Sequence, residues 1–354
     1  MVKILVVNPG SASTKIAIFE GEKLVLEKTF RHEIDIILSF PNSYTQKEFR
    51  KSFIIDFLKD AKYKLEDIDV FVGRGGLVRP LESGTYEITE AMIEDLKTMK
   101  YGDHVCNLGC IIAYEFAQAL NKPAYTVDPV VVDELDAIAR VSGYEGMERV
   151  SIFHALNQKA VAKRYAKEIN KPYETLNLIV AHLGGGISVG LHKKGWIVDV
   201  NNAFGGEGPF TPERAGTLPL FSVIERAFET GYTLPELKKH LVTRGGLYSY
   251  LGTSSGMEIT KRIDLGDEKA RFYLHAMCYR IIKEIGGLCF ISQCEIDALI
   301  ITGGLAYNPH VMAYLQTHLP KHLNYVVYAG EDELLALAQG ALRVINKEEP
   351  LKHY

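Results

Sequence analysis

The sequence predicts an α/β protein built from two duplicated domains with a cleft between them, and three observations lead there. Four punctuating positions recur 174 residues apart: Asn8 and His182, Gly10 and Gly184, Thr14 and Ser188, Gly21 and Gly195. Each set closes a branched apolar run, Ile4 to Val7 or Leu178 to Ala181, with a polar residue, a glycine turn and a hydroxyl, after which an apolar run resumes. The chain has 354 residues, enough for two domains that each bury a core. Strand-like and helix-like patterns follow in the same order in both halves. Two unrelated hairpins that both need glycine at their turns are the alternative.

In the first half, Lys3 to Val7, Thr14 to Phe19 and Lys23 to Phe30 read as antiparallel strands turning at Glu20-Gly21. Lys47 to Ala61 has helical apolar spacing, and a strand at Val70 to Val72 runs into Gly73-Arg74-Gly75-Gly76. Thr89 caps a helix to Met99, His104 to Leu120 is a buried helix, and Tyr125 to Val127 is a strand ending at Asp128-Pro129. In the second half a helix from Ser151 to Ile169 precedes the strand at Leu178 and its hairpin to Val200. Residues 202–219 form a long loop containing Glu213-Arg214, Thr233 opens a helix, and Asp267 to Gln293 is a long helix. Strands at Ala298 to Thr302 and Asn324 to Tyr328 come before a closing amphipathic helix, Glu331 to Ile345. The repeat sets a boundary near Arg149, giving domains 1–149, completed by 331–354, and 150–330.

Composition narrows the function. An apolar content of 47% with 24% charged residues is that of a globular protein. A net charge of −4, with no block of like charges, points away from nucleic acid and anionic membranes, so acidic ligands must be held by a few placed cations. No apolar run approaches the ~20 residues of a membrane span, and none near the N-terminus suits a signal peptide. The five cysteines include no CxxC pair, which fits free thiols in a reducing cytoplasm.

Glycine turns at strand ends carry the chemistry: 8–14, 73–76, 182–188, 205–208 and Gly303-Gly304. Together they suggest a nucleotide held by backbone amides between the domains. Neither GxxxxGK[ST] nor a GxGxxG after a strand is present, which argues against a P-loop or Rossmann site. Arg74 and Arg214 lie inside such loops, where the planar fork of arginine suits carboxylate or phosphate. His154 and His182 each follow apolar residues; taken alone, either is more often a core histidine. Asp128 before a proline is equally a turn-former, and Glu331, Asp332 and Glu333 open a helix, where the helix dipole alone favours acids. Gly252-Thr-Ser254-Ser-Gly256 fits the GxSxG of a nucleophilic serine, but Gly and Ser as turn-formers explain it better.

These residues resemble the acetokinase family of short-chain fatty-acid kinases, within the actin, hexokinase and Hsp70-like ATPase superfamily. The resemblance rests on Asn8-Pro-Gly-Ser-Ala-Ser-Thr-Lys15, Val72-Gly-Arg74-Gly-Gly-Leu-Val-Arg-Pro80, Ile152-Phe-His154, Ala181-His-Leu-Gly-Gly-Gly186, Pro209-Phe-Thr-Pro-Glu-Arg-Ala-Gly216 and Gly330-Glu-Asp-Glu-Leu334. Within the family these motifs look most like the butyrate kinases. The resemblance implies two duplicated ribonuclease H-like domains, each a mixed five-stranded sheet with flanking helices, around an interdomain cleft. It implies Arg74 and Arg214 as the arginines that hold the acyl carboxylate and the phosphoryl in flight. His182 would lie near that phosphoryl, with Asp128 and His154 as further active-site groups. Asn8, Ser11, Ser13 and Lys15 would line one phosphate turn and Gly184, Gly185 and Gly186 another, with Gly303 and Gly304 on the adenosine side. Glu333 or the neighbouring Asp332, with Asn8, would associate with Mg²⁺.

The chain departs from the family at Ala12, where a hydroxyl is expected, and has no acid at Ser254 to Met257, where acetate kinases have an Asp near the nucleotide. Gly76 stands where acetate kinases have a branched residue; the smaller wall implies a roomier acyl pocket, with Phe153 and Gly205 as its other lining. The resemblance therefore implies reversible, Mg²⁺-dependent phosphoryl transfer from ATP to butyrate or a related short or branched acid, in a cytoplasmic homodimer or higher homo-oligomer. Propionate, acetate and isobutyrate are the alternative acceptors. A sugar kinase with Asp128 as base and a non-enzymatic ATP-driven switch are the alternative classes.

Overall fold

The computed structural model describes residues 1–354, the side chain of Ile34 excepted. The chain divides into two units, Met1–Val132 with Asp332–Tyr354, and Asp133–Glu331.

Unit 1 holds six strands: β1 (Lys3–Gly10), β2 (Ser13–Glu20), β3 (Lys23–Arg31), β4 (Val70–Gly73), β5 (Thr85–Glu87) and β6 (Ala124–Val127). They lie in the order β3-β2-β1-β4-β6-β5. The first three are antiparallel, β1, β4 and β6 run parallel, and β5 returns antiparallel on β6. Ile4 to Val7 have no exposed surface, as expected of a central strand covered on both faces. Helices α1 (Lys47–Asp60), α2 (Glu90–Lys97) and α3 (Asn107–Leu120) belong to this unit, and the Thr89 hydroxyl caps α2 by accepting from Met92 N–H at 3.3 Å. The C-terminal helix, Glu333–Ile345, buries Leu334, Leu337, Ala338 and Ala341 against this sheet.

Unit 2 repeats the plan with β7 (Asn177–Leu183), β8 (Ile187–Lys193), β9 (Trp196–Val200), β10 (Ala298–Gly303) and β11 (Tyr325–Ala329), in the order β11-β10-β7-β8-β9. The hairpin strands are again antiparallel and β7, β10 and β11 parallel. Its longer helices are α4 (Ala155–Glu168), α5 (Leu220–Thr230), α6 (Leu234–Thr243), α7 (Gly256–Asp264), α8 (Glu268–Ile291) and α9 (Pro309–His318). Thr233 and Glu236 close a reciprocal capping box on α6, and Asp267 accepts from Ala270 N–H at 2.9 Å to cap α8.

The duplicated α/β architecture of mixed sheets and flanking helices is thus present. Three details differ from the sequence reading. Unit 1 has a sixth strand, β5, too short to leave a pattern. The 174-residue offset is kept in strand order and not in register: Asn8 faces Lys15, whereas His182 faces Ser188. Two residues separate Gly10 from Ser13 while three glycines separate Leu183 from Ile187, so the turns differ by one residue. Residues 133–149, which the repeat assigns to the first half, lie in unit 2. Arg149 there bonds Asp199 at 2.9 Å, and Glu134 pairs with Lys159 at 2.8 Å with almost no exposed surface on either side chain. No helix among the described residues is long and apolar enough to cross a membrane.

The end of β4 meets the start of α3 at a contact that only glycine permits. A Cβ on Gly73 would sit 2.2 Å from the Gly109 carbonyl oxygen. Gly73→Ala is therefore expected to destabilise the protein by about 1–3 kcal/mol, the usual cost of overpacking. Urea unfolding monitored by circular dichroism checks this, and an unchanged midpoint would contradict it.

Candidate active site

In unit 1, three predicted residues come together. Asn8 lies near the end of β1 and donates through Nδ2 to Glu333 Oε2 at 2.7 Å, and Arg74 Nη1 pairs with Glu333 Oε1. Arg74 is set there by its own N–H, which donates to the Val7 carbonyl at 2.9 Å, and by the Gly73 contact below it. Glu333 stands in the first turn of the C-terminal helix, while Asp332 is exposed, so Glu333 is the acid that meets Asn8 and Arg74. Asp128 is buried just after β6 with φ at 39°, and exchanges two hydrogen bonds with Gly84: Gly84 N–H to its Oδ1 at 2.7 Å, and its own N–H to Gly84 O at 3.0 Å. Ser11 is exposed, Ser13 and Lys15 half-buried, all on the turn and strand after Gly10.

Gly76 does not do what the sequence suggested. A Cβ there would lie 2.3 Å from Asn107 Oδ1 and 2.6 Å from Asn107 Cα, so the missing side chain is filled by the start of α3 and opens no pocket. Asn107 Oδ1 in turn accepts from Leu77 N–H at 2.8 Å. Gly73 and Gly76 are required by this helix approach, whereas a Cβ on Gly75 would meet Pro129 Cβ at 2.5 Å, and between them these contacts place Arg74.

In unit 2 the rings of His154 and His182 stack at 3.7 Å between centroids, tilted by 10°. His182 stands on β7, and its Nδ1 meets Asn157 Oδ1 at 2.8 Å; an amide oxygen only accepts, so the proton is on Nδ1. Its buried Nε2 lies 3.1 Å from Glu331 Oε1 without the alignment of a hydrogen bond. His154 occupies the N-cap position of α4, which starts at Ala155 and not at Ser151, and its Nδ1 meets Ser188 Oγ at 2.9 Å. Behind it runs a buried chain: Gln158 Nε2 donates to Ser188 Oγ at 2.9 Å, Gln158 Oε1 meets His192 Nε2 at 3.0 Å, and His192 Nδ1 meets the Tyr173 hydroxyl at 2.8 Å.

Arg214 comes to the same place from the long loop. Thr211 Oγ1 donates to Gly185 O at 2.7 Å and accepts from Arg214 N–H at 2.9 Å, which ties the loop to the glycine turn. Arg214 Nη1 donates to Ala203 O at 2.9 Å, its guanidinium lies 5.3 Å from the Phe204 ring centre, and its buried Nε has no hydrogen-bond partner. Burial lowers its pKa and Glu213 partly offsets this. A Cβ on Gly186 would lie 2.8 Å from Arg214 Nη1 and 3.0 Å from His154 Cε1, so this glycine admits both groups. Phe153 is buried beside His154, and Gly205 N–H donates to Asn202 Oδ1 at 2.6 Å, shaping the loop that carries Phe204.

Beside Gly184 and Gly185 lies a cavity of ≈ 590 Å³, lined also by Ser254, Gly256, Gly304 and Tyr307. The size and polar rim suit a nucleoside. Gly304 borders it, while Gly303 is the last residue of β10 and exchanges backbone hydrogen bonds with Gly330. The GxSxG stretch is a turn: Gly252 is left-handed at φ 74°, and Ser255 caps α7 by accepting from Glu258 N–H at 3.3 Å. Asn157, Ser188, Thr211, Glu331 and Phe204 were not singled out as site residues in the sequence. Ser188 left a signal as a repeat position, and Thr211 and Glu331 lie inside the motifs that carry the resemblance; Asn157 and Phe204 left none.

Among the described residues no group of three His, Cys, Asp or Glu side chains is placed to hold a metal ion. Mg²⁺ that is completed by phosphate oxygens and water needs only one or two carboxylates; in unit 1 Glu333 is the candidate, and here its two oxygens are paired with Asn8 Nδ2 and Arg74 Nη1.

His192 gives the site a pH limit. Burial, and secondarily the charge of Lys159, hold its pKa well below the ordinary value. The unfolded chain binds a proton near pH ~6.5 that the folded chain refuses, so this stability is present above that pH and lost as pH falls through it. Urea midpoints should drop between about pH 7.5 and 5.5, with a shallower drop in His192→Gln; equal slopes would remove His192 from the account.

A family model described as the acetokinase family matches residues 144–351, more than half of the chain. Among solved structures, the chain is similar to an acetate kinase of Porphyromonas gingivalis, at a TM-score of 0.78 and 18% identity over 98% of this chain and 100% of that one. It is also similar to a propionate kinase of Francisella tularensis, at 0.74 and 20% over 96% and 99%, and to an acetate kinase of Entamoeba histolytica, at 0.71 and 17% over 96% and 98%. At these identities the structures speak for the shared fold.

Proposed function

The chain belongs to the acetokinase family, and we propose that it transfers the γ-phosphoryl group of ATP to the carboxylate of a short fatty acid, with butyrate preferred, giving an acyl phosphate and ADP. The observation that carries this reading is the convergence of Arg214, His154 and His182 on the glycine turn 184–186, with the Nε of Arg214 and the Nε2 of His182 buried and lacking a hydrogen-bonded partner. Buried polar atoms of this kind cost stability unless a ligand completes them.

A carboxylic acid with pKa near ~4 is ionised at neutral pH and needs no general base. The barrier is repulsion between two anions, which fixed donors in a site closed to water relieve best. Arg74 is assigned to the acid, and it already engages a carboxylate, that of Glu333. Arg214 and His182 are assigned to the phosphoryl in transfer, with Asn157 fixing the His182 tautomer and Ser188 holding His154. Asp128 is assigned a positioning role, since its Oδ1 is committed to Gly84 N–H. Glu333 and Asn8 would hold Mg²⁺, which supplies charge neutralisation at the phosphates. The cavity at Gly304 is assigned to the adenosine. With Gly76 packed against Asn107, what supports butyrate is the likeness of the motifs to butyrate kinases.

An acyl-hydroxamate assay with MgATP and acids from acetate to hexanoate tests the reading: butyrate should give the highest kcat/KM. A higher value with acetate or propionate would move the acceptor, and no hydroxamate from any acid would refute the activity. In the same assay Arg214→Ala should lower kcat by about 10²–10³-fold, as loss of a transition-state donor does. A near-normal kcat would exclude Arg214 from the chemistry.

The proposal includes a homo-oligomer. What supports it is α5, of which no residue is buried: Leu220, Phe221, Ile224 and Phe228 are exposed at helical spacing. Light scattering should give a multiple of 39.5 kDa that falls to the monomer in Phe221→Asp/Phe228→Asp; a monomeric parent protein would contradict it.

A further inference from the structure

Arg50, which no motif singled out, is the largest fully buried side chain of the protein. It stands in the first turn of α1 beneath the turn that joins β1 to β2. Its Nη1 donates to Gly10 O at 3.0 Å, Ser13 O at 2.6 Å and Thr14 Oγ1 at 3.0 Å. Its Nη2 donates to Ser11 O at 3.0 Å, and Nε and Nη2 both reach Gln46 Oε1, at 3.0 and 2.9 Å. The remaining carbonyl of the turn, Ala12 O, accepts from His32 N–H at 2.9 Å, and the His32 ring meets Thr14 Oγ1 at 2.8 Å.

Two consequences follow. Every peptide bond in the chain is trans, so a C=O directed inward sends the N–H of the next residue outward. With the carbonyls of Gly10 and Ser11 turned onto Arg50, the N–H groups of Ser11 and Ala12 face away from the unit, on residues that are exposed. The second consequence is electrostatic. Among the described residues Arg50 has no carboxylate partner, only amide and hydroxyl oxygens. Burial pushes its pKa down to about 10, which still leaves it charged at neutral pH. A buried cation without a counter-ion is expensive unless an anion lies within reach of its field.

We propose that Arg50 is a positioning residue for phosphate: its guanidinium locks the carbonyls of the Gly10–Ser13 turn inward, aims the Ser11 and Ala12 amides outward, and finds its counter-anion in the phosphoryl group those amides bind. This rests on the reading of that turn as a phosphate site of the proposed kinase. It also accounts for Ala12, where the family has a hydroxyl: an anion held by the backbone amide needs no side chain there.

The test compares ATP with adenosine, which shares the nucleoside and lacks the phosphates, by calorimetry on the full chain. In Arg50→Met the Kd for MgATP should rise about 10- to 100-fold, the worth of a charge-assisted hydrogen bond, while the Kd for adenosine stays as in the parent protein. Unchanged affinity for both, or an equal loss of both, overturns the proposal. If Arg50→Met does not fold, Arg50→Lys carries the test, since it keeps the charge and loses the fork; a MgATP affinity equal to the parent's refutes it. Failure of the kinase reading looks different, because the unsubstituted protein would then bind no MgATP.

Discussion

The site in unit 2 depends on one close approach. Arg214 Nη1 and the edge of the His154 ring occupy the space that a Cβ on Gly186 would need. Around that vacancy everything else is tied by short bonds from both sides. Thr211 anchors the loop to Gly185, Asn157 and Ser188 hold the two imidazoles, and the Gln158–His192–Tyr173 chain backs Ser188. Polar groups buried this deeply are tolerable only when nearly all are bonded, so the few that are not point to where a ligand's polar atoms belong.

Unit 1 meets the same problem at its own first turn by a related device. Arg50 and Arg214 are both guanidiniums with pKa lowered by burial, and both donate to backbone carbonyls. Arg214 presents itself beside the turn, whereas Arg50 lies beneath it and acts through peptide dipoles. Duplication preserved the strand order and the demand for local positive potential. It did not preserve the register, because one turn is a residue longer than the other.

Much of this was legible in the sequence, for identifiable reasons. The strands of both hairpins carry branched apolar runs with glycine punctuation, and the helices at Thr89, Thr233 and Asp267 announce themselves by capping residues whose side chains do cap. The convergence of Asn8, Arg74 and Glu333 was expected through motif likeness, and the structure adds that Glu333 and not Asp332 makes the contact. What was not legible depends on tertiary approach. Gly76 looked like room for an acyl chain until Asn107 was seen to fill it. Arg50 sits in an ordinary amphipathic helix, where nothing in the spacing distinguishes an arginine of the core from one on the surface. Asn157 is a polar residue on a helix face that composition alone would leave in solvent, and β5 is three residues long.

The central claim is that a carboxylate, and neither water nor a sugar hydroxyl, receives the phosphoryl group. Phosphorus NMR of the protein with MgATP and butyrate tests it most directly. The account predicts an acyl phosphate resonance growing in step with ADP and absent without the acid. Inorganic phosphate appearing at the same rate with or without the acid, and no acyl phosphate, would contradict it.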